Sequence, residues 1–247
     1  MEGHGTSLGS PGKTICARKL DATEELGVVW TKRAGAAAAP LQIDFDGFHL
    51  LRRAFRDVDV AVELMLDNFT EIEHTGTGHW EFGFDGSRMN EIDFRITREG
   101  QGVTAHAVGP QKPVSWLSRA VLGIAPGDRL HIGWTTSYAP IRVNYEWWWE
   151  DPRTGRQRGV RFKEATFFTS LGAAGCRLTA FYYWTRPSVG PVGLDRLFRA
   201  AVGRFIEYEI DLDINLVGGL AASVADLKQC QLTRFDGVVV RNRRALA

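Results

Sequence analysis

The sequence predicts an α+β domain in which one antiparallel sheet of about seven strands carries helices on one face. Three observations predict it. A stretch of helical period occupies about residues 57–74, segments of period two follow between Trp80 and Trp184, and helical patterning returns at Leu194. Helix, then consecutive strands, then helices is the α+β succession, and the helices bury their apolar stripes on the sheet.

The chain has 247 residues, of which 44% are hydrophobic, enough for a core in one large domain or two small ones. A net charge of +1 gives no general attraction to nucleic acid or anionic membrane, so neither is expected as a partner. No apolar run reaches the roughly 18 residues of a spanning helix, and the N-terminus lacks a basic-then-apolar leader, which makes the cytoplasm the default. Cys16, Cys176 and Cys230 lie far apart with no Cys-x-x-Cys pair, so they predict neither a zinc clip nor a disulfide framework. The eight tryptophans suit the walls of an apolar cavity or a plain aromatic core.

Taken in order, residues 1–14 are rich in Gly, Ser, Thr and Pro, and Ala34 to Pro40 form an Ala-rich connector. Leu41 to Phe55 offer Phe45, Phe48, Leu50, Leu51 and Phe55 as core contacts. Val58, Val62, Met65, Phe69 and Ile72 recur at helical spacing, with Asp57 or Asp59 as a cap. Strand alternation follows at Trp80, Phe82 and Phe84, with Asp85-Gly86 as a hairpin turn. It recurs at Ile92 to Ile96, Val103 to Ala107, Leu130 to Trp134 and Ile141 to Trp147. His106 and His131 are lone strand histidines, more simply read as structural. Trp116 to Ile124 is an apolar piece within a loop, either a lid, a cavity wall or a surface helix.

Asp151-Pro152-Arg153-Thr154-Gly155 is a turn. Arg156, Arg158, Arg161 and Lys163 form a basic stripe, a solvated face or a dock for an acidic partner. Val160 to Thr169 and Arg177 to Trp184 are the last two strands. One face of the latter, either Leu178, Ala180 and Tyr182 or Thr179, Phe181 and Tyr183, is expected to line a cavity. Leu194 to Tyr208 reads as a helix, Ile210 to Val217 as a brief alternating segment, and Leu220 to about Gln231 as a final helix.

The chemistry is concentrated where the first helix gives out. Gly76 and Gly78 end the helical pattern, and His74 and His79 bracket that ending. On an ideal helix residues five apart point about 140° apart, so the two rings converge only if the helix stops and the chain bends. Two neutral imidazoles and a carboxylate leave open positions on ferrous iron, the arrangement non-heme oxygenases use to activate O2.

The ordered set Asp67-Asn68-Phe69-Thr70-Glu71-Ile72-Glu73-His74-Thr75-Gly76-Thr77-Gly78-His79 resembles the iron motif of Rieske non-heme iron oxygenases, Glu-Asn-Phe-x-Asp-x-x-His-x-x-x-x-His. Two positions depart from it: Asp67 stands for Glu, and Glu71 for Asp, which keeps the charge and adds a methylene. The resemblance implies that His74 and His79 ligate iron and that Asn68 tunes the site by hydrogen bonding. It implies that Glu71 orients a histidine and links the site to a neighbouring subunit's electron donor. It implies a third, acidic ligand on a late helix. Asp226 is the best match, with Asp211 and Asp213 as rivals. Phe235-Asp236-Gly237-Val238-Val239-Val240-Arg241 resembles the closing segment of the vanillate demethylase and ketosteroid hydroxylase oxygenase subunits.

At the N-terminus, His4-Gly5 is similar to the end of the family's second cluster motif, Cys-x-x-His-Gly, with Met1 where the cysteine stands. Residues 1–40 are therefore expected to be the tail of a Rieske domain and a connector, and 41–247 the catalytic domain. A Rieske [2Fe–2S] cluster needs two cysteines and two histidines, which this sequence does not supply in pattern. Three expectations follow: a truncated reading of a longer oxygenase, a cluster on a separate polypeptide, or a catalytic fold that persists without oxygenation.

The resemblance further implies a START-like helix-grip fold enclosing an apolar cavity with Fe(II) at its inner end. It implies O2 and a hydrophobic substrate that is hydroxylated, demethylated or desaturated. Electrons would come from a ferredoxin and reductase, and the assembly would be a homotrimer or a complex with a Rieske-cluster subunit. The competing expectation is a helix-grip protein that binds hydrophobic ligands without catalysis, or an assembly subunit of a larger oxygenase.

Overall fold

The computed structural model describes residues 4–6, 14–16, 19–36, 41, 43, 45–99, 102–185, 192–219 and 231–247. The chain forms two compact units, Met1–Gln42 and Ile43–Ala247. Among its described residues, the first contains two antiparallel strand pairs. Strand β1 (His4–Thr6) pairs antiparallel with β2 (Thr14–Cys16), and β3 (Leu20–Glu25) with β4 (Val28–Arg33). The tight β3–β4 turn places Leu26 and Gly27 at φ 54° and 74°, the left-handed pair that matches strand twist.

The second unit is an antiparallel seven-stranded sheet with helices against it, the α+β arrangement expected. Its strands are β5 (His49–Val58), β6 (Asp93–Glu99), β7 (Gly102–Pro110), β8 (Arg129–Tyr138), β9 (Ile141–Asp151), β10 (Arg156–Ser170) and β11 (Cys176–Trp184), in the order β5-β11-β10-β9-β8-β7-β6. Strands β6 to β11 follow one another as a meander. The early strand β5 returns to the edge beside β11, pairing Ala54 with Ala180.

That edge strand corrects one expectation. The seventh strand is not Trp80–Phe84, where only an isolated bridge from Phe84 to Gln111 forms. Gly83 at φ 112° turns the chain there, and Asp85 caps a short 3-10 turn, Gly86–Glu91, rather than a hairpin. Phe55, expected in the core, points outward from β5, while Ala54 and Val58 point in.

Helix α1 (Val62–Thr70) starts later than expected, because residues through Val58 belong to β5. Asp57 binds Arg177 (2.6 and 2.7 Å) instead of capping, and the position before the helix is Ala61, with no side-chain cap. Helix α2 (Trp116–Leu122) is capped by the Ser115 hydroxyl. Helix α3 (Val192–Gly218) continues through 210–217, read from sequence as alternating. Ile206, Ile210 and Val217 are buried at spacings of four and seven, which is helical. Helix α4 (Gly237–Leu246) buries Val238, Val239 and Asn242. The helix expected from Leu220 falls on residues 220–230, outside the described residues.

The core lies between the helices and one sheet face, with Met65 and Leu66 of α1 fully buried against it. Asn242 is buried but satisfied: it donates to the Thr70 hydroxyl (3.0 Å) and accepts from Tyr138 (2.8 Å), joining α4, α1 and β8. On the other sheet face Lys163 lies over the rings of Phe45 (5.0 Å) and Phe48 (4.9 Å). Much of the basic stripe is paired: Arg158 meets Asp151 and Asp128, and Arg161 meets Glu146. Burial pushes the Cys176 thiol up to about 12, which makes it an inert core residue.

A bulge between Arg158 and Phe162 interrupts β10. There Gly159 has φ 62°, and a Cβ on it would stand 1.9 Å from the Leu122 carbonyl oxygen at the end of α2. Gly159→Ala is therefore expected to cost about 1–3 kcal/mol, read as a lower urea midpoint. An unchanged midpoint would mean that α2 does not rest on this bulge.

Candidate metal centre

Helix α1 stops at Thr70, whose hydroxyl turns back to the Leu66 carbonyl (2.8 Å). Glu71 leaves the helix in an extended conformation, φ −97° and ψ 134°. Its carboxylate folds over the next turn and accepts the backbone N–H groups of Glu73 and His74. A 3-10 turn, Glu73–Gly76, follows. The N–H of Gly78 then bonds the His74 carbonyl (2.5 Å), and a Cβ on Gly78 would lie 3.0 Å from that oxygen, a tight contact that glycine avoids. The buried Lys112 ammonium donates to the carbonyls of Thr75 and His79, both at 2.7 Å, and pins the segment.

This path brings the two rings together. The Nε2 atoms of His74 and His79 are 3.1 Å apart. Helix α3 approaches them with Glu209 and Asp213, four residues apart and so on one helical face. Asp213 Oδ1 lies 3.2 Å from His74 Nε2 and 3.3 Å from His79 Nε2, and Asn68 donates to the same oxygen at 3.0 Å. Behind each ring is a carboxylate: Glu71 Oε2 is 3.0 Å from His74 Nδ1, and Glu209 Oε2 is 2.6 Å from His79 Nδ1. Glu209 is itself held by the N–H groups of Trp80 and Glu81. These outer carboxylates place the imidazole proton on Nδ1 and leave both Nε2 lone pairs for the centre.

The donor set fits a metal ion. Ligand bonds of about 2.1 Å at right angles separate neighbouring donors by roughly 3 Å, and the separations here are 3.1–3.3 Å. Two imidazoles and one carboxylate with open positions is the set used by non-heme iron.

The charges also call for a cation. Burial opposes charge on His74, but Asp213 and Glu71 outweigh it and push the imidazole up to about 9. Burial likewise opposes charge on His79, and Asp213 and Glu209 again prevail and raise it. Burial would raise Asp213, yet the two imidazoles hold it well below the usual carboxylate range. Three carboxylates thus surround two rings, and positive charge is drawn in as protons or as a cation. Ligation requires neutral imidazoles, so a cation takes the place of those protons.

The trio opens into a cavity of ≈330 Å³ lined mainly by apolar side chains, within the size range of small-ligand sites. Phe69, Ile132, Trp147, Trp149 and Phe162 form part of it, and Val202, Phe205 and Ile206 of α3 another part. Leu117, Val121 and Leu122 of α2 make the segment around Trp116 to Ile124 a cavity wall as well as a helix. A second cleft, ≈460 Å³, is lined by such groups as Asp85, Arg88, Glu91 and Arg129, and shares only Gln111 and Val114 with the first. It holds none of the converging donors.

No family model and no curated protein matches the chain in sequence. Solved structures match it in fold. Dicamba monooxygenase bound to 3,6-dichlorosalicylic acid superposes with a TM-score of 0.70 over 98% of this chain and 73% of that one, at 11% identity. The chain shares the fold of Rieske non-heme iron oxygenases. NdmA of Pseudomonas putida CBB5, solved with caffeine as its QL mutant, gives a TM-score of 0.62 over 97% of this chain and 62% of that one, at 12% identity. NdmB of the same organism gives 0.60 over 95% and 61%, at 16% identity. One related structure holds dicamba monooxygenase with non-heme iron and dicamba, at a TM-score of 0.58 and 13% identity, over 92% of this chain and 67% of that one.

Against the residues singled out in the sequence, the oxygenase fold gathers His74, His79, Glu71 and Asn68 at one place. Asp226 lies outside the described residues. Asp211 faces away and pairs with Arg56 (2.9 Å). Asp67 binds Arg243 (2.7 and 2.8 Å) rather than the imidazoles. The sequence pattern does not single out Glu209, although its four-residue spacing from Asp213 marks one face of α3. Replacing either outer carboxylate, Glu71→Gln or Glu209→Gln, is expected to weaken iron affinity by roughly 10–100-fold in competition with a chelator. Wild-type affinity in both variants would show that the rings are oriented by something else.

Proposed function

We propose that this chain is the catalytic domain of a non-heme iron oxygenase that uses Fe(II) and O2 to hydroxylate, demethylate or desaturate a hydrophobic substrate. His74, His79 and Asp213 are its ligands in this reading. The observation that carries it is the triangle of two Nε2 atoms and one carboxylate oxygen, 3.1–3.3 Å on each side, at the wall of an apolar cavity. Iron bound there supplies O2 activation through its open coordination positions.

The protein's own groups do the rest. Glu71 and Glu209 hold protons on the Nδ1 atoms, Asn68 orients Asp213, and the walls of Phe69, Trp147, Phe162 and Phe205 seat the substrate and exclude water. Electrons are proposed to come from a Rieske [2Fe–2S] centre outside residues 41–247, fed by a ferredoxin and reductase and reaching the site beside Glu71. The assembly is proposed as a homotrimer or a complex with a Rieske-cluster subunit. Residues 1–40, with His4 and Gly5, are proposed as the tail of the electron-donating domain and a connector.

The competing reading, a ligand binder without catalysis, accounts for the cavity but not for two imidazoles each backed by a carboxylate. Anaerobic loading with Fe(II), followed by desalting and metal analysis, separates the two. About one iron per chain is expected, and a chain that retains none is a binder.

A further inference from the structure

The cavity has a polar strip that the metal centre does not use. Tyr145 on β9, Glu164 on β10 and Tyr182 on β11 are direct cross-strand partners, so they stand side by side on one sheet face. All three line the cavity, and Glu164 and Tyr182 are buried at 6% and 4% exposure. Glu164 Oε1 accepts from the Thr166 hydroxyl and from Tyr182 (3.2 Å). Both donors converge on that one oxygen, and no described residue donates to Oε2. A carboxylate is a costly group to place among Trp147, Phe162 and Ile132 unless something bonds it. Among the described residues lining this cavity there is no Lys or Arg, whereas Glu71, Glu81, Glu164, Glu209 and Asp213 are all acidic.

We propose that Glu164 is a specificity-determining residue whose open carboxylate oxygen accepts a hydrogen bond from an uncharged aromatic substrate bearing one O–H or N–H group, and that it excludes aromatic carboxylates. The inference rests on reading the cavity as the substrate site. The apolar walls take the ring system, and the strip of Tyr145, Glu164 and Tyr182 fixes its orientation through that one group. A carboxylate ligand would bring a negative charge beside Glu164 and Asp213 with no Lys or Arg among the described lining residues to receive it. Burial pushes the Glu164 carboxyl up to about 7, so at pH 8 it is mainly the acceptor form.

The test is binding of three probes to the full chain as purified at pH 8, followed by calorimetry: 2-naphthol, naphthalene and 2-naphthoate. 2-Naphthol is expected to bind roughly tenfold tighter than naphthalene, the increment of one hydrogen bond to a charged acceptor. Binding of 2-naphthoate is expected to be weaker than that of 2-naphthol by at least as much. Glu164→Met should keep naphthalene binding and lose the preference for 2-naphthol, and Glu164→Gln should narrow the gap to 2-naphthoate. Equal affinity for 2-naphthol and naphthalene in the wild-type chain overturns the inference, as does tight 2-naphthoate binding, a preference that survives Glu164→Met, or no binding of any probe. Iron content is measured separately. A chain that holds iron without the donor preference sinks this inference alone, and one that shows the preference without iron sinks the oxygenase reading alone.

Discussion

His79→Ala is expected to leave a folded chain that no longer retains Fe(II). The side chain supplies one corner of a three-membered donor set, with Nε2 at 3.1 Å from His74 and 3.3 Å from Asp213. Two ligands cannot hold the ion against a chelator, so the loss should exceed the roughly 10–100-fold cost of removing a carboxylate behind a ring. The fold should survive, because Lys112 still ties the Thr75 and position-79 carbonyls and Glu209 still accepts the N–H groups of Trp80 and Glu81. Metal analysis together with circular dichroism reads both halves of the result. Retention of a full equivalent of iron would remove His79 from the ligand set.

The second large effect separates two carboxylates. Asp213→Ala should lose iron as completely as His79→Ala, because Oδ1 is the oxygen both imidazoles face. Asp226→Ala should leave iron content unchanged. The opposite pattern would move the third ligand to the segment 220–230. Asp211→Ala is a useful companion, since Asp211 is bound to Arg56 and should affect only that surface pair.

Much of this architecture is legible in the sequence, for reasons specific to each part. Strand β7 alternates cleanly because one face packs on the core and the other does not, whereas β10 and β11 carry runs buried on both faces and are marked by their aromatic content instead. Strand β5 is harder to see: it sits at the sheet edge with arginines at 52, 53 and 56 and an exposed Phe55, so its fully buried residues are only Ala54 and Val58, with Leu51 partly buried against the core. The Trp80–Phe84 segment looks like a strand because three aromatic residues alternate there in a turn beside the candidate metal site. Phe82 packs on His79 and Trp147, and Phe84 on the core, while Trp80 is exposed.

The candidate site divides in the same way. Asn68, Glu71, His74 and His79 sit within twelve residues, so their order alone marks them. Asp213 and Glu209 come from a helix 130 residues away in sequence from His79. Their role depends on α3 running unbroken past Tyr208, where Ile210 to Val217 also alternates and hides the helical period. Glu164 is hidden for another reason: on a strand, a single inward-facing acid looks like an ordinary polar position until its cross-strand tyrosines are known.

The separation of the two halves of the centre has a mechanical consequence. Helix α3 both forms a wall of the cavity and carries the carboxylates, whereas the imidazoles hang from the far side of the whole meander. A shared ion would cross-link the two ends of a loop that contains six of the seven strands of the main sheet, where such clips constrain the unfolded chain most. Loading and enclosure would then be a single equilibrium: the chain would close its pocket as it takes up the ion and loosen its longest helix when stripped of it.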